Sequence, residues 1–316
     1  MLPALSEPKL QAPFPWFGGK SRVASDVWEH FGEIDSYVEP FFGSGAVLLN
    51  RPDVNGYEVV NDADGFISNF WRAVSADPKA VAAGAQCPIN EVDLTAKHMW
   101  LNEHRTYLTS RLMVDPEYFD ATVAAWWLWG ICAWIGDGWC ARDDGPWTDN
   151  EGVLTYDRKR EYGGPHIRKK RPELARNRGI HRSNVDVSEW MIILQERLSR
   201  VRVCCGDWKR VVTPRAVQPR AWSKVGVFLD PPYASERYSG LYAVDSQTVA
   251  YDVNAWCQIA PSHWKICVAG LGSEHDNLGW ERVEWSTKGG YGNLGSGLGR
   301  SNSVQEVLWF SPACSS

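Results

Sequence analysis

The 316-residue chain has no C-x-x-C pair and no H-x-x-x-H, and no Cys/His cluster stands in for them. Structural zinc wants four such ligands in paired spacings, and a disulfide framework wants a short secreted chain. The eight cysteines are therefore expected to be reduced and mostly buried, and no metal is expected. A long apolar run is missing too. The longest, Val123 to Gly136, holds two glycines and falls short of the roughly 20 residues that cross a bilayer. It reads as a buried helix. The N-terminal MLPALSEPKLQAPFPW lacks the basic start and apolar run of a secretory signal, so a cytoplasmic protein with no membrane contact, working as a monomer, is expected. No repeat recurs at solenoid or propeller periods. With 44% hydrophobic and 22% charged residues, the chain is neither a disordered tail nor a small disulfide scaffold. It is long enough for a sizeable core.

Charge is unevenly spread. Between Arg158 and Arg182 ten Lys/Arg stand against Glu161 and Glu173, a net +8 that leaves −13 on the remainder of a chain whose total is −5. An acidic body with one concentrated basic segment suits a polyanion partner, although a solvated basic loop has the same composition. Eighteen tryptophans are also present. Most belong in a core, and flat aromatic faces can also stack on nucleobases.

Short β-branched and apolar runs recur, each closed by Gly, Asp or Pro: SYVEPF (36–41), YEVVND (57–62), VRVCCGDW (201–208), VGVFLDPP (225–232) and KICVAGLG (265–272). Helical patterns at 22–31, 46–50, 64–76 and 186–200 alternate with them, which predicts βαβ units and a mostly parallel sheet. ERVEWST (281–287) and VQEVLWFS (304–311) read as two further strands, a C-terminal β-hairpin around the glycine-rich 289–299. The stretch between about 80 and 200 does not read as βαβ. It is expected to be an inserted, mainly helical subdomain (81–199) interrupting a domain formed by 13–80 and 200–312.

Two motifs carry chemistry. In Glu39-Pro-Phe-Phe-Gly-Ser-Gly45 the glycines permit a tight turn and close approach of a ligand, and Asp62 follows at the end of the next strand. That spacing suits a ribose-binding carboxylate, while an ordinary glycine turn with a helix-capping Asp has the same appearance. The second motif is Asp230-Pro231-Pro232-Tyr233. Paired prolines cannot continue a central strand, so this loop lies at the sheet's carboxyl edge, where open α/β sheets bind ligands. It offers the Asp230 carboxylate and the Pro231 carbonyl as acceptors beside the Tyr233 ring, an arrangement suited to a flat ring with an exocyclic amine.

Together PWFGGK (15–20), YVEPFFGSGAVLLN (37–50), VVNDADGFISNFW (59–71), CGDW (205–208) and FLDPPY (228–233) resemble the Dam-type (D12 class) DNA adenine-N6 methyltransferases, in the order that family uses. The resemblance implies a Rossmann-like methyltransferase sheet, S-adenosylmethionine as methyl donor, double-stranded DNA as partner, and methyl transfer to adenine N6 after base flipping. It also implies roles. Trp16, Gly18, Gly19 and Lys20 match a motif close to the cofactor. Glu39, Phe41, Gly43 and Gly45 match the loop around its methionine part, and Asp62 the ribose acid. Asp207 and Trp208 match the pair that hydrogen-bonds and stacks on its adenine, and Asp230 to Tyr233 the catalytic loop, with Asp230 also reaching the cofactor. The same loop chemistry would serve N4 of cytosine, and a non-catalytic cofactor-binding DNA protein could keep the fold. In WIGDGWCARDDG (134–145) Arg142 precedes Asp143 and Asp144, where relatives carry Asn-Gly and Arg-x-Asn; this resembles a bacteriophage-like branch. DNA contacts are expected from Arg142, Arg158, Lys159, Arg160, Arg168, Lys169, Lys170, Arg171, Arg178 and Arg182.

Overall fold

The computed structural model describes residues 10–16, 18–134, 139–140, 147–150, 153–156, 186–217, 220, 223–233, 248–285 and 306–315. Along the chain run α1 (Ala24–Phe31), β1 (Ser36–Glu39), α2 (Ala46–Leu49), β2 (Tyr57–Asp62), α3 (Gly65–Ala76), α4 (Pro78–Ala85), α5 (Glu91–Val114) and α6 (Ala121–Ala133). There follow β3 (Trp147–Asn150), β4 (Val153–Tyr156), α7 (Val187–Leu198), β5 (Val201–Cys205), α8 (Pro214–Val217) and β6 (Val225–Leu229). The chain then forms α9 (Val249–Ile259), β7 (Lys265–Leu271), β8 (Glu281–Trp285) and β9 (Glu306–Phe310).

Seven strands form one sheet in the order β5-β2-β1-β6-β7-β9-β8, and β3 and β4 pair separately. The first five are parallel, and β9 runs antiparallel to both β7 and β8. All five runs read from the sequence as parallel strands lie here. Central strands covered on both faces need apolar side chains pointing both ways. That is why β6, VGVFL, is buried throughout. Alternation then splits the core in two. Tyr37, Val60 and Phe228 face the larger cluster, while Val38, Val59 and Val227 face a smaller one with Trp208, Val253 and Trp264.

The larger cluster includes α1 and the layer from α3 to α7. Each helix of that layer starts at a side-chain cap, which satisfies backbone N–H groups that have no partner within the helix. Asp64, Asp77, Asn90, Asp120 and Asp186 do this for α3 to α7 in turn, with Pro78 in the first turn of α4. The tryptophan-rich run forms α6, apolar all round because α3, α4 and α5 surround it. Trp71, Trp127, Trp129 and Trp190 are fully buried in this layer. Residue 80 falls within α4, so helices of the 81–199 stretch share one core with α3. Residues 289–299 lie outside the described residues.

Arg72 ties the layer to the sheet. Its guanidinium is buried and donates to the carbonyls of Val203 on β5, Leu112 and Asp115 at the end of α5, and Tyr118. Burial lowers its pKa, yet five fixed donors match these acceptors as no ammonium can. Replacing Arg72 with Met leaves several buried carbonyls unpaired, each worth about 1–3 kcal/mol. The unfolding free energy should fall by about 3 kcal/mol or more, read from urea denaturation; a loss below about 1 kcal/mol would show that the hub is dispensable.

Candidate active site

The strand order reverses between β1 and β6, so the loops after these strands diverge and open a crevice at the sheet's carboxyl edge. The loop after β1 is held from three sides. Its Gly43 N–H donates to Asp62 Oδ2 at 2.9 Å, and the Gly43 carbonyl accepts from Trp71 Nε1 at 2.9 Å. Asp62 Oδ1 accepts from the Asp64 N–H at 2.9 Å. Buried Asn61 donates through Nδ2 to the Pro40 carbonyl at 3.1 Å and to the Gly206 carbonyl at 2.9 Å, joining the loops after β1 and β5. Gly43 has φ +46°, and a Cβ there would stand 2.6 Å from Trp16 Nε1. Trp16 and the Gly43 loop, linked in sequence only by family resemblance, thus pack face to face. The cap of α3 is Asp64, which accepts from Phe66, so Asp62 is not the helix-capping residue.

Burial pushes the Asp62 carboxyl up to about 7, against the backbone N–H groups of Gly43, Asp64 and Ala63, which favour its charged form. Each of its oxygens keeps a lone pair for a further donor. Glu39 lies deeper, 3% exposed, and accepts from Tyr37 Oη at 2.9 Å and the Leu48 N–H at 3.2 Å. Burial holds it well above the usual carboxylate range, and nearby Asp230 pushes the same way.

The loop after β6 meets the N-terminal segment through Lys20, itself 3% exposed. The ammonium lies 2.9 Å from Asp230 Oδ1 and donates to Tyr233 Oη at 3.2 Å and to the Gly18 carbonyl at 2.7 Å. Burial raises the Asp230 carboxyl, and Lys20 opposes the rise. Tyr233 is 5% exposed, with Lys20 Nζ 5.6 Å from its ring centroid. Burial raises the carboxyl of Glu306, the first residue of β9, with Lys20 and Tyr233 opposing the rise and Asp230 adding to it.

A third group sits under β5. Asp207 accepts from the Lys209 N–H at 2.7 Å and is exposed. Trp208 is buried in the smaller core, and the half-buried Phe41 ring lies 5.7 Å from it. Of these two rings, Phe41 presents the more open face.

Sequence reasoning did not find Asn61, Trp71, Arg105 or Glu306. Asn61 had a signal, since a polar residue closing an otherwise buried strand needs partners. Arg105, on α5, reaches Asp64 at 3.6 Å and lies over the Phe66 ring. Arg142 and the basic residues Arg158, Lys159, Arg160, Arg168, Lys169, Lys170, Arg171, Arg178 and Arg182 lie outside the described residues. Among the described residues no group of three or more His, Cys, Asp or Glu could hold a metal, and no helix is long and apolar enough to cross a membrane.

Residues 16–125 match the family described as D12 class N6 adenine-specific DNA methyltransferase. The DNA adenine methylase of Vibrio cholerae serotype O1 (strain ATCC 39541) is 35% identical over 72 residues, 23% of this chain and 25% of that protein. The DNA N-6-adenine-methyltransferase of Escherichia phage P1 is 25% identical over 112 residues, 34% of this chain and 13% of that protein. The chain thus spans a quarter or less of the length of the curated relatives it matches. The similarity expected from the motifs is present over residues 16–125, the stretch that holds Trp16, Lys20, the Gly43 loop and Asp62.

Proposed function

We propose that this protein transfers a methyl group from S-adenosylmethionine to the exocyclic N6 of adenine in double-stranded DNA, after the base has left the stack. The observation that carries this reading is the meeting of Lys20, Asp230 and Tyr233 beside the Gly43–Asp62 loop at the point where strand order reverses. The site fits the cofactor. Gly43 leaves a cradle that a Cβ would fill, and Asp62 has lone pairs for ribose hydroxyls. When bound, S-adenosylmethionine supplies a methyl group on a positively charged sulfur.

The chain's own residues do the rest. Asp230 and the Pro231 carbonyl accept the two N–H bonds of the amine, which localises a lone pair otherwise spread into the ring. Lys20 holds the Asp230 carboxylate charged and in place despite its burial. Tyr233 offers an aromatic face worth about 1–3 kcal/mol, against a flipping cost of a few kcal/mol. Catalysis is then positioning and electrostatics. Target recognition is assigned to 81–199 and catalysis to 13–80 and 200–312.

Digestion of incubated DNA followed by mass spectrometry of the nucleosides tests the reading. N6-methyladenosine supports it, N4-methylcytidine transfers the same site to cytosine, and neither product leaves a non-catalytic binder. Asp230→Ala should abolish detectable transfer; more than about a tenth of the rate remaining, a loss under roughly 1.4 kcal/mol, would remove Asp230 from the mechanism.

Cofactor affinity should also depend on pH through Asp62. Ribose hydroxyls donate, so they need the carboxylate, whereas below about 7 the acid binds a proton. Affinity should therefore weaken as pH falls below about 7, by up to tenfold per unit, and level off above. Calorimetry at several pH values checks this, with Asp62→Asn as control. An unchanged pH slope in that variant excludes Asp62 as the ribose acid.

If residues 158–182 follow the DNA backbone, log affinity falls with log salt at a slope near −0.9 per phosphate contacted. Changing Arg168, Lys169, Lys170 and Arg171 to Gln should make the slope shallower by up to about four contacts' worth, for all sequences alike. An unaltered slope would mean those charges face solvent.

A further inference from the structure

The turn Asp62-Ala63-Asp64-Gly65 after β2 brings two carboxylates together, and α5 answers one of them. Asp62 Oδ1 accepts from the Asp64 N–H at 2.9 Å, so the place of the Asp62 carboxylate depends on where the Asp64 peptide lies. Asp64 is fixed in turn from two directions. Its Oδ1 accepts from the Phe66 N–H at 2.9 Å, and Arg105 Nη1 on α5 stands 3.6 Å from the same oxygen, with the guanidinium 4.8 Å over the Phe66 ring. Gly65 lies so close to α5 that a Cβ there would collide with Thr109, one turn on from Arg105. Two successive turns of α5 thus hold the start of α3, and with it the N–H that Asp62 uses.

A purely structural role does not account for Arg105. The cap of α3 is made by Asp64 and Phe66 without it. Arg105 Nη1 is buried, yet it makes no hydrogen bond among the described residues and meets Asp64 only as an ion pair. Arg51 and Arg197, by contrast, close on Glu58 at 3.0 and 2.8 Å. A pair taken out of water and not closed by hydrogen bonds returns little stability. Its effect here is on the neighbouring acid. The Asp64 charge stands against Asp62, and Arg105 opposes the rise that burial imposes on Asp64. One carboxylate of the turn is met by a cation, and the other keeps its lone pairs for a ligand.

The geometry points to Arg105 as a positioning residue for ribose recognition, one that acts through the Asp64 turn to place the Asp62 carboxylate. This rests on the proposed function, in which Asp62 receives the ribose hydroxyls, and it gives α5 a part in choosing the cofactor. Arg105 makes no contact with the ligand itself.

Two readouts test it on the full-length protein. The first is calorimetry, well above pH 7 where Asp62 is charged, with S-adenosylhomocysteine and its 2′,3′-dideoxy analogue. Arg105→Met should weaken the ribose-bearing ligand by about fivefold or more and the dideoxy analogue by less than about twofold, because only the first donates to Asp62. Loss of packing alone would weaken both alike. Adding Arg105→Met to Asp62→Asn should cost nothing further, since one acts through the other. The second readout needs no ligand. Aspartate labelled with carbon-13 at Cγ gives an Asp62 resonance, identified by its loss in Asp62→Asn, which should move in Arg105→Met. Equal weakening of both ligands, losses that multiply in the double variant, or an unmoved resonance would overturn the inference. Should Arg105→Met fail to fold, Arg105→Gln decides: a collapsed preference for the ribose-bearing ligand supports the inference, and a preference kept at the wild-type ratio refutes it. Wild-type protein that binds neither ligand, or both equally, sinks the ribose reading of Asp62 instead, and the resonance still decides whether Arg105 fixes that carboxylate.

Discussion

Carboxylates brought out of water at one edge of the sheet set the terms for everything around them. Glu39, Asp62, Asp230 and Glu306 all have their protonated forms favoured by burial. Desolvating a charge is expensive, so each must be held by donors or a cation. The donors come from every neighbouring loop: Tyr37 and the Leu48 N–H, the Gly43 and Asp64 N–H groups, Lys20, and Tyr233. The carboxylates therefore wire together the loops after β1, β2 and β6 and the N-terminal segment. For Asp62 the sign is definite. Its folded pKa of about 7 lies above the unfolded value, so its contribution to stability is present at low pH and lost as pH rises through about 7.

β2 shows the contrast within a single strand. Near its start Glu58, 1% exposed, is met by Arg51 at 3.0 Å and by Arg197 at 2.8 Å through both carboxylate oxygens. Arg51 also donates to the Ile34 and Asn55 carbonyls, and Arg197 to Leu48. That carboxylate is compensated on every side, and its work is to clamp β2, α7 and the α2 turn together. At the strand's other end Asp62 has only N–H donors. Two carboxylates on one strand thus separate into scaffold and site by whether a cation answers them.

Much of the sheet was legible because its constraints are local. VGVFL can only be a strand covered on both faces, and Pro-Pro after it can only be an end. Asp62 and Asp64 compete for the capping role in VVNDADG, and only the Phe66 contact separates them. The union of α4–α7 with α3 in one core was not legible, since it depends on which faces of Trp127, Trp129 and Trp190 meet across helices. Glu306 was hidden for the same reason. It reads as the polar start of an edge-side strand, and only the antiparallel course of β9 carries it to Tyr233. Trp208 was visible as a motif, but its burial against α9 was not, and neither was the more open Phe41.

Lys20 shows why residue type, and not charge alone, is fixed here. An ammonium offers three donors about one point, and Asp230, Tyr233 and the Gly18 carbonyl draw on all three within 3.2 Å. A guanidinium would spread five donors over a plane and need acceptors further apart. The compact charge lets one atom reach a carboxylate, a phenol and a backbone carbonyl together. The same atom thereby ties the N-terminal segment to the loop after β6, favours the charged form of Asp230, and holds the Tyr233 hydroxyl. Its contribution within the fold is geometry and field: one compact charge fixes three groups from two segments.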